Sequence, residues 1–310
     1  MINPSENSSK SKLLKRKTFI RQGLTVIGAT ALGGHSTPLL VNPLSTTARS
    51  YTVQDIINII LKEIPGAPFP HTVDTLKSGS PDQQVSGIVT TMFATAKVIQ
   101  EAARLNTNFI IAHEPRYYNH EDDLNWVANN QVVNQKLSLL KKENIAIWRF
   151  HDYWHSHRPD GIRQGVLKAA GWLEYYQEGK PLIQIPPVSL KELIVHFQQQ
   201  LGISHVRSIG DPSQICQSIA LMPGAAGGQR QISVVEKEKP DVLIVGEVHE
   251  WETAEYIRDA RYFGLKTALI VLGHSVSEEP GMAWLVDWLQ PKIPEIKITH
   301  IASGDPFLWS

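Results

Sequence analysis

Cysteine is almost absent from this 310-residue chain, which contains only Cys216. One cysteine cannot form an internal disulfide, and it cannot supply the groups of thiolates that hold structural zinc. The composition is otherwise that of a globular protein, with 42% hydrophobic and 19% charged residues. A chain of this length can bury one large core or two smaller ones without covalent support.

An excess of charge of either sign is also missing, since 30 Lys and Arg residues balance 30 Asp and Glu residues. The balance is uneven along the chain. Residues 1–48 contain six basic residues and one acidic residue, so the remainder carries 24 basic and 29 acidic side chains, a net charge of about −5. Nucleic-acid binding needs a basic surface, and we therefore expect no nucleic-acid partner.

A long hydrophobic run is missing as well. The apolar stretch at residues 23–34 is too short for a membrane span of about 20 residues, but it follows a basic segment and precedes small residues, as in an export signal. Residues 16–21, RKTFIR, resemble the twin-arginine export motif, with Lys17 in place of the second arginine, and Ala48 ends a possible cleavage site.

We interpret residues 1–48 as a degenerate twin-arginine-like export signal. This predicts a periplasmic or cell-envelope protein with no stable membrane insertion once processed. A basic tail on a cytoplasmic protein, or an uncleaved anchor, is the alternative.

Beyond residue 50, short apolar runs rich in β-branched residues alternate with helical patterns. SGIVTTMF predicts a strand, TAKVIQEAARL a helix and NFIIA another strand, and the alternation continues to about residue 300. Thr52 with Asp55 three residues later predicts a capped first helix. The pattern predicts an α/β fold with mostly parallel sheets. Prolines at positions 181, 186 and 187 mark a break, so we expect two interlocked subdomains at about 51–173 and 182–310, with the functional site in the cleft between them.

Histidines and carboxylates follow several predicted strands. The residues are His113 and Glu114 after NFIIA, His151 and His155 after IAIWRF, and His274 and Glu278 after KTALIVLG. Ligands of α/β proteins bind beyond the carboxyl ends of the strands. Imidazole and carboxylate donors together suit Zn, Mn, Fe or Ni, so these segments predict a metal centre.

The spacing of these residues favours two ions. Adjacent His113 and Glu114 can point to two sides, and a residue pair four apart shares one face of a helical turn. The two oxygens of Glu278 can bridge two cations. Two ions about 3.5–4 Å apart can activate a shared water for hydrolysis.

Six segments in a fixed order carry a family resemblance: VDTLKSG, IIAHEPRYY, HDYWH, ALMPGAAGGQ, VGEVHE and LGHSVSEEPG. They resemble the Ngg-interacting-factor-three-like family of dinuclear metal centre proteins, often labelled GTP cyclohydrolase I type 2 homologues. The last segment, similar to the family's Gly-His-x-x-[Ser/Thr]-Glu-x-x-Gly, is the most specific. The match spans roughly residues 52–307 and implies one dinuclear-metal-centre domain at residues 51–310.

The resemblance implies that two divalent metal ions bind to this chain. Carried over by position, His113 and His274 would bind one ion, and Glu114 and His155 the other, with Glu278 bridging both. Glu114 stands where the family has a second histidine, and His155 stands where it has an aspartate. These two departures exchange donors, so one imidazole and two carboxylates remain, and we interpret the site as a variant that still binds metal.

Other polar residues near the strand ends are candidates for further roles. His151 and His249 are candidate proton shuttles, although His151 could equally be a ligand. Asp74 and Glu247 are expected to line a substrate pocket, and so are Gly224, Gly227 and Gly228, whose backbone N–H groups could face an anion. Ordinary loop polarity and tight turning are the alternative explanations. His157 is expected in solvent, and His120 is expected to be incidental.

The predicted function is that of a metal-dependent hydrolase. A hydroxide bridging two metal ions would attack a small heterocyclic or nucleotide-like substrate. A metal-binding or metal-delivery protein without turnover is one alternative, and a ring-shaped scaffold is another, because the resemblance implies a homo-oligomer between a dimer and a hexameric ring.

Overall fold

The computed structural model describes residues 50–308. The predicted export signal at residues 1–48, with its twin-arginine-like segment and cleavage site, lies outside the described residues, and export stays a prediction. Within residues 50–308, no helix combines the length and the apolar character that crossing a bilayer requires.

The first sheet contains β1 (Leu76–Ser78), β2 (Ile88–Thr91), β3 (Phe109–Ala112), β4 (Ala146–Arg149) and β10 (Ile298–His300). The strand order is β1-β4-β3-β2-β10. The strands run parallel except β1, which is antiparallel to β4. Strand β10 comes from the far end of the described chain and pairs with β2, so the first sheet is completed by a late segment.

The second sheet contains β5 (Ile183–Ser189), β6 (Arg207–Ile209), β7 (Ile215–Met222), β8 (Val242–Val245) and β9 (Ala268–Val271). The strand order is β5-β7-β8-β9-β6, with parallel central strands and an antiparallel strand at each edge. The predicted α/β fold with two mostly parallel sheets is confirmed. The subdomain boundaries stay a prediction.

The helices of the described region connect these strands. They are α1 (Val53–Leu61), α2 (Ala96–Arg104), α3 (Gln131–Lys142), α4 (Asp152–Ser156), α5 (Gly161–Ala169), α6 (Leu190–Leu201), α7 (Gly228–Glu238), α8 (Glu255–Tyr262) and α9 (His274–Leu289). The predicted cap of α1 is confirmed: the Thr52 side chain accepts the N–H of Asp55, and the Asp55 carboxylate accepts the N–H of Thr52. This reciprocal pair fixes the start of α1.

The side chains of the central strands alternate between two cores. In β3, Phe109 and Ile111 join a large cluster that also contains residues of the second sheet and of α5 and α9. Ile110 and Ala112 point to the other face and pack with residues of α2. Both faces of β3 are therefore buried, which explains why its sequence is a continuous apolar run rather than an alternating one.

Helices α5 and α9 cross at a close glycine contact inside the large cluster. A Cβ added to Gly165 would lie 2.3 Å from the carbonyl oxygen of Pro280 and 2.4 Å from Cα of Gly281. A Cβ added to Gly281 would lie 2.6 Å from Cα of Ile162. The two backbones can approach this far only because both positions are glycine.

Candidate metal centre

Polar side chains that follow three different strands lie close together in the fold. His113 and Glu114 follow β3 directly, α4 begins three residues after β4, and α9 begins at His274, shortly after β9. Because β3 and β4 are parallel neighbours, their carboxyl ends lie side by side, and α9 brings the second sheet's contribution to the same point.

Three histidines form one group at this point. The ring centroids of His113, His151 and His155 lie 4.7–5.0 Å apart. One ring nitrogen of each lies within 4.8 Å of the others, close enough for all three to ligate one ion. The short helix α4 creates this arrangement, because the N–H of His155 donates to the carbonyl of His151 and brings the two residues onto one helical turn.

The Nδ1 atom of each ring in this group is held by an oxygen. His113 Nδ1 donates to the carbonyl of Phe150 at 3.0 Å. Asp152 binds Nδ1 of His151 at 2.9 Å, and Asp160 binds Nδ1 of His155 at 3.0 Å. The Nε2 atoms are left to bind a cation, and carbonyl or carboxylate partners of this kind orient metal-binding histidines.

Carboxylates form the other half of the cluster. His274 Nε2 lies 3.2 Å from Glu114 Oε1 and 3.2 Å from Glu278 Oε2. Glu247 accepts a hydrogen bond from His274 Nδ1 at 3.1 Å. The Arg149 guanidinium lies 3.5 Å from Glu114 Oε2 and also donates to the carbonyl of His113. His113, Glu114 and Glu278 form a second group whose donor atoms lie within 4.8 Å of one another.

Two buried atoms of the cluster have no hydrogen-bond partner among the described residues. They are His113 Nε2 and Glu278 Oε2, which face each other across 3.9 Å, although Glu278 Oε2 also forms an ion pair with His274 at 3.2 Å. A buried polar atom without a partner costs about 1–3 kcal/mol. A divalent cation between them would satisfy both lone pairs, so these residues fit a metal ion.

The charges of the cluster are set by its contacts. Burial acts to raise the pKa of Glu114, but the hydrogen bond from His274 and the neighbouring imidazoles outweigh it and bring that pKa to about 2. Burial acts to lower the pKa of His274, but Glu114, Glu247 and Glu278 raise it to about 12. In the metal-free protein, His274 is therefore an imidazolium that lies among three carboxylates.

The three-histidine group behaves differently. Burial, followed by the neighbouring rings His155 and His151, holds the pKa of His113 well below its usual range. Burial and His155 also lower the pKa of His151. Burial acts in the same direction on His155, but the contact with Asp160 outweighs it and raises that pKa. Neutral His113 and His151 keep their lone pairs available for a cation.

The structure brings the five predicted ligands together, and His151 joins them. Glu278 Oε2 faces His113 and His274, and Glu278 Oε1 faces His155. His113 lies with His151 and His155 in one group, and with Glu114 and Glu278 in the other. His274 Nε2 also approaches Glu114 Oε1. The ligand assignments to individual ions stay predictions.

An open cavity of about 1760 Å³ adjoins the cluster. Its walls include Glu114, His151, His155, His274 and Glu278. His113 lies behind them, fully buried. The cavity is larger than typical small-molecule sites, so a substrate of nucleotide size could reach the cluster.

Asp74 was predicted to line a substrate pocket, but it lies against the start of α4 instead. Its carboxylate accepts the backbone N–H groups of His151 and Tyr153, each at 2.8 Å, and so fixes the first turn of α4. Burial raises the pKa of Asp74 to about 6. Asp74 therefore positions His151 and His155 by holding their helix.

Close packing explains two of the predicted glycines, Gly224 and Gly228, and a positive φ explains Gly227. A Cβ at Gly224 would lie 2.2 Å from Glu278 Oε1, and the N–H of Gly224 already donates to Ser277 Oγ at 2.9 Å. The predicted anion contact of that N–H is therefore wrong, and Gly224 leaves room for the Glu278 carboxylate. Gly227 precedes α7 at φ +82°. A Cβ at Gly228 would collide with Glu252.

Three other histidine predictions have different outcomes. Glu247 reaches the cluster, but His249 is exposed, with Nδ1 3.5 Å from Glu252. The prediction that His157 lies in solvent is wrong, because its ring is buried against Trp154. His120, which was predicted to be incidental, lines the cavity, and its ring centroid lies 5.8 Å from His151.

Arg149 and Asp160 are the residues of this site that sequence reasoning missed. Asp160 carried a signal, because it precedes a helical pattern and caps α5 by accepting the N–H of Arg163. Arg149 carried none, because it reads as the polar end of an apolar strand.

Comparison with known proteins agrees with the fold and the motifs. A family model described as Duf34/NIF3 (NGG1p interacting factor 3) matches residues 51–306. A Clostridium acetobutylicum protein named GTP cyclohydrolase 1 type 2 homolog is 24% identical over 247 residues, 75% of this chain and 87% of that protein. An Escherichia coli K12 protein of the same name is 25% identical over 232 residues, 72% of this chain and 87% of that protein.

The crystal structure of a Bacillus cereus protein related to NIF3 superimposes with a TM-score of 0.69. The alignment covers 84% of this chain and 100% of that chain at 15% identity, which shows a common fold. Since the family model spans nearly all of the described residues, this chain belongs to the Duf34/NIF3 (NGG1p interacting factor 3) family.

Proposed function

We propose that the protein is a metal-dependent hydrolase that holds two divalent cations and acts on a small heterocyclic or nucleotide-like substrate. The observation that carries the proposal is the facing pair of buried atoms, His113 Nε2 and Glu278 Oε2, in a wall of imidazoles and carboxylates that opens onto a large cavity. Such a donor set suits Zn, Mn, Fe or Ni.

The residues divide between two ions. As the resemblance implies, His113 and His274 would hold one, and Glu114 and His155 would hold the other. Glu278 can serve both, because its Oε2 lies near His113 and His274 while its Oε1 lies 4.0 Å from His155 Nε2. Two bound cations would act as Lewis acids. They would lower the pKa of a bound water, so that hydroxide is available at neutral pH.

The protein itself orients the imidazole rings that would bind the metal ions. The carbonyl of Phe150 and the carboxylates of Asp152 and Asp160 fix the rings of the three-histidine group. Glu247 fixes the ring of His274, so that Nε2 points at Glu114 and Glu278. The reacting group of a substrate would meet donors that are already in place, which reduces the cost of ordering them.

Metal analysis tests this proposal. Metal-free protein reconstituted with Zn, Mn, Fe(II) or Ni should retain about two equivalents per chain with at least one of these ions, and hydrolysis in a panel of phosphate esters, cyclic amides and nucleotides should rise with metal content. Fewer than one equivalent with every ion would contradict the two-ion site. Transfer of metal to an acceptor apo-protein without any hydrolysis would support the metal-delivery alternative. Homo-oligomer formation stays a prediction.

Metal binding should release protons and weaken as pH falls. His274 must lose its proton to bind a cation, and its pKa near 12 in the metal-free protein means that it is protonated at neutral pH. The affinity for the ion at His274 should therefore fall about tenfold for each pH unit between pH 8 and pH 6. Calorimetry in buffers of different ionisation enthalpy would count the proton, and an affinity independent of pH would refute the assignment.

The same pKa predicts the stability of the metal-free protein. Because the folded pKa of His274 lies above the ordinary value of 6.5, its contribution to stability is complete below about pH 6.5 and is lost as pH rises towards 12. Chelator-treated protein should therefore lose this contribution progressively in denaturant titrations between pH 7 and pH 9.

A further inference from the structure

Two buried cations line the cavity beside the metal cluster. Arg116 lies two residues after Glu114, and Lys136 lies in α3. Each is only 8% exposed, and both line the cavity. Two residues of extended chain span at most about 7 Å, so Arg116 is attached within that distance of a candidate metal ligand.

Both cations are held in place without a carboxylate partner. Lys136 Nζ donates to the carbonyl of Arg116 at 2.8 Å. The Arg116 guanidinium packs on the ring of Tyr117 at 4.1 Å. Its Nε is buried and has no hydrogen-bond partner among residues 50–308, and within those residues no ion pair is formed by Arg116 or Lys136.

The nearest buried carboxylate serves other groups. Asp122 Oδ1 accepts the N–H of Tyr117 at 2.7 Å, and its Oδ2 lies 3.8 Å from Lys77 Nζ. Burial, and then the charge of Arg116, lower the pKa of Lys136 to about 8, although Asp122 acts in the opposite direction. The positive charge at this wall is thus not balanced by the carboxylate beside it.

A purely structural role does not account for this arrangement. Buried charges in proteins are normally paired, because desolvation costs several kcal/mol per ion. Lys136 Nζ is bonded to the backbone carbonyl of Arg116 and its charge is repelled by that of Arg116, so each makes the other more costly to bury. Both costs would be offset by an anion bound in the cavity, and a guanidinium with an ammonium matches the oxygens of phosphate or carboxylate.

We propose that Arg116 and Lys136 form a subsite that binds an oxyanion group of the substrate, a phosphate or a carboxylate, beside the metal cluster. The claim that the bound oxyanion belongs to the substrate rests on the proposed function. The claim that the subsite binds an oxyanion does not. The subsite narrows the substrate to molecules that carry an oxyanion group.

Binding of inorganic phosphate and of malonate to the full chain tests the subsite. Isothermal calorimetry would compare wild type with Arg116→Gln and Lys136→Met, with metal loaded and with metal removed. Each variant should bind the preferred anion about 10- to 100-fold more weakly, as expected for the loss of one charge-assisted contact. Lys141→Gln, an exposed lysine on the same helix, should bind as wild type does.

The choice of anion, the metal content and the variants together distinguish the possible outcomes of this experiment. Tighter binding of phosphate identifies a phosphate subsite, and tighter binding of malonate identifies a carboxylate subsite. Anion binding that needs metal and is unchanged in both variants would overturn the proposal, because the anion would then sit on the metal. Lys136→Met keeps the buried aliphatic stem, and Arg116→Lys keeps the charge, so loss of the fold in Arg116→Gln would leave two informative variants. If the metal-free protein binds the anion but the metal-loaded protein shows no hydrolysis, the subsite is supported and only the proposed function is refuted.

Discussion

A Glu278→Gln protein is expected to bind divalent metal more than about 100-fold more weakly than the wild type. Hydrogen-bond partners of ligands are worth about 10- to 100-fold in metal affinity, and a carboxylate that faces His113, His155 and His274 should be worth more. The substitution keeps the shape of the side chain but removes the charge that both ions would share.

The neighbouring Glu279 is the matched control. It lies on the same helix, but its carboxylate accepts the N–H and the hydroxyl of Ser303 and lies 3.3 Å from the imidazole of His300. Glu279→Gln should therefore keep wild-type metal affinity in competition with a chelating dye. Equal losses in the two variants would mean that Glu278 acts through the fold and is not a ligand.

Gly165→Ala is expected to lower the free energy of unfolding by about 3 kcal/mol, the upper part of the range for overpacked cores. The added methyl would meet the backbone of Pro280 and Gly281 at 2.3–2.5 Å, and backbone atoms cannot rotate away. An exposed helical Gly→Ala change would instead gain up to about 1 kcal/mol. For a chain of this size the loss corresponds to a Tm lower by about 6–12 °C.

Gly171→Ala provides the comparison for Gly165→Ala. Gly171 has φ +69° and nothing within 4 Å of an added Cβ, so the variant should lose only the 1–2 kcal/mol that a left-handed conformation costs a residue with a side chain. Thermal unfolding of both variants, with metal removed, checks the difference. A loss in Gly165→Ala no larger than in Gly171→Ala would show that α5 and α9 can separate without cost.

The sequence predicted the parts of the site that depend on local chain geometry. Ligands at the ends of parallel strands converge because the strands are parallel, and the pairs His151 with His155 and His274 with Glu278 converge because a helical turn begins at the first residue of each pair. The first-helix cap at Thr52 was predictable for the same reason, since its partner is three residues away.

The remaining features depend on contacts between residues far apart in the sequence. Asp74 holds α4 from 77 residues away, and no pattern within the loop records that contact. His157 is buried by rings that include Trp284 and Trp288 of α9, although its own segment is polar. The close contact of α5 with α9 joins Gly281, which ends the segment LGHSVSEEPG, to Gly165, which lies in no such motif.

The place of β10 in the first sheet has a consequence for protein synthesis. Strand β2 is made about 210 residues before its partner β10, and at about 5–20 residues per second this interval is roughly 10–40 s. During that time the nascent chain carries β2 with one edge unpaired, a surface on which other strands can add. His274 and Glu278 also emerge late in this interval, so the ribosome releases the histidine-rich half of the metal cluster well before the half that completes it.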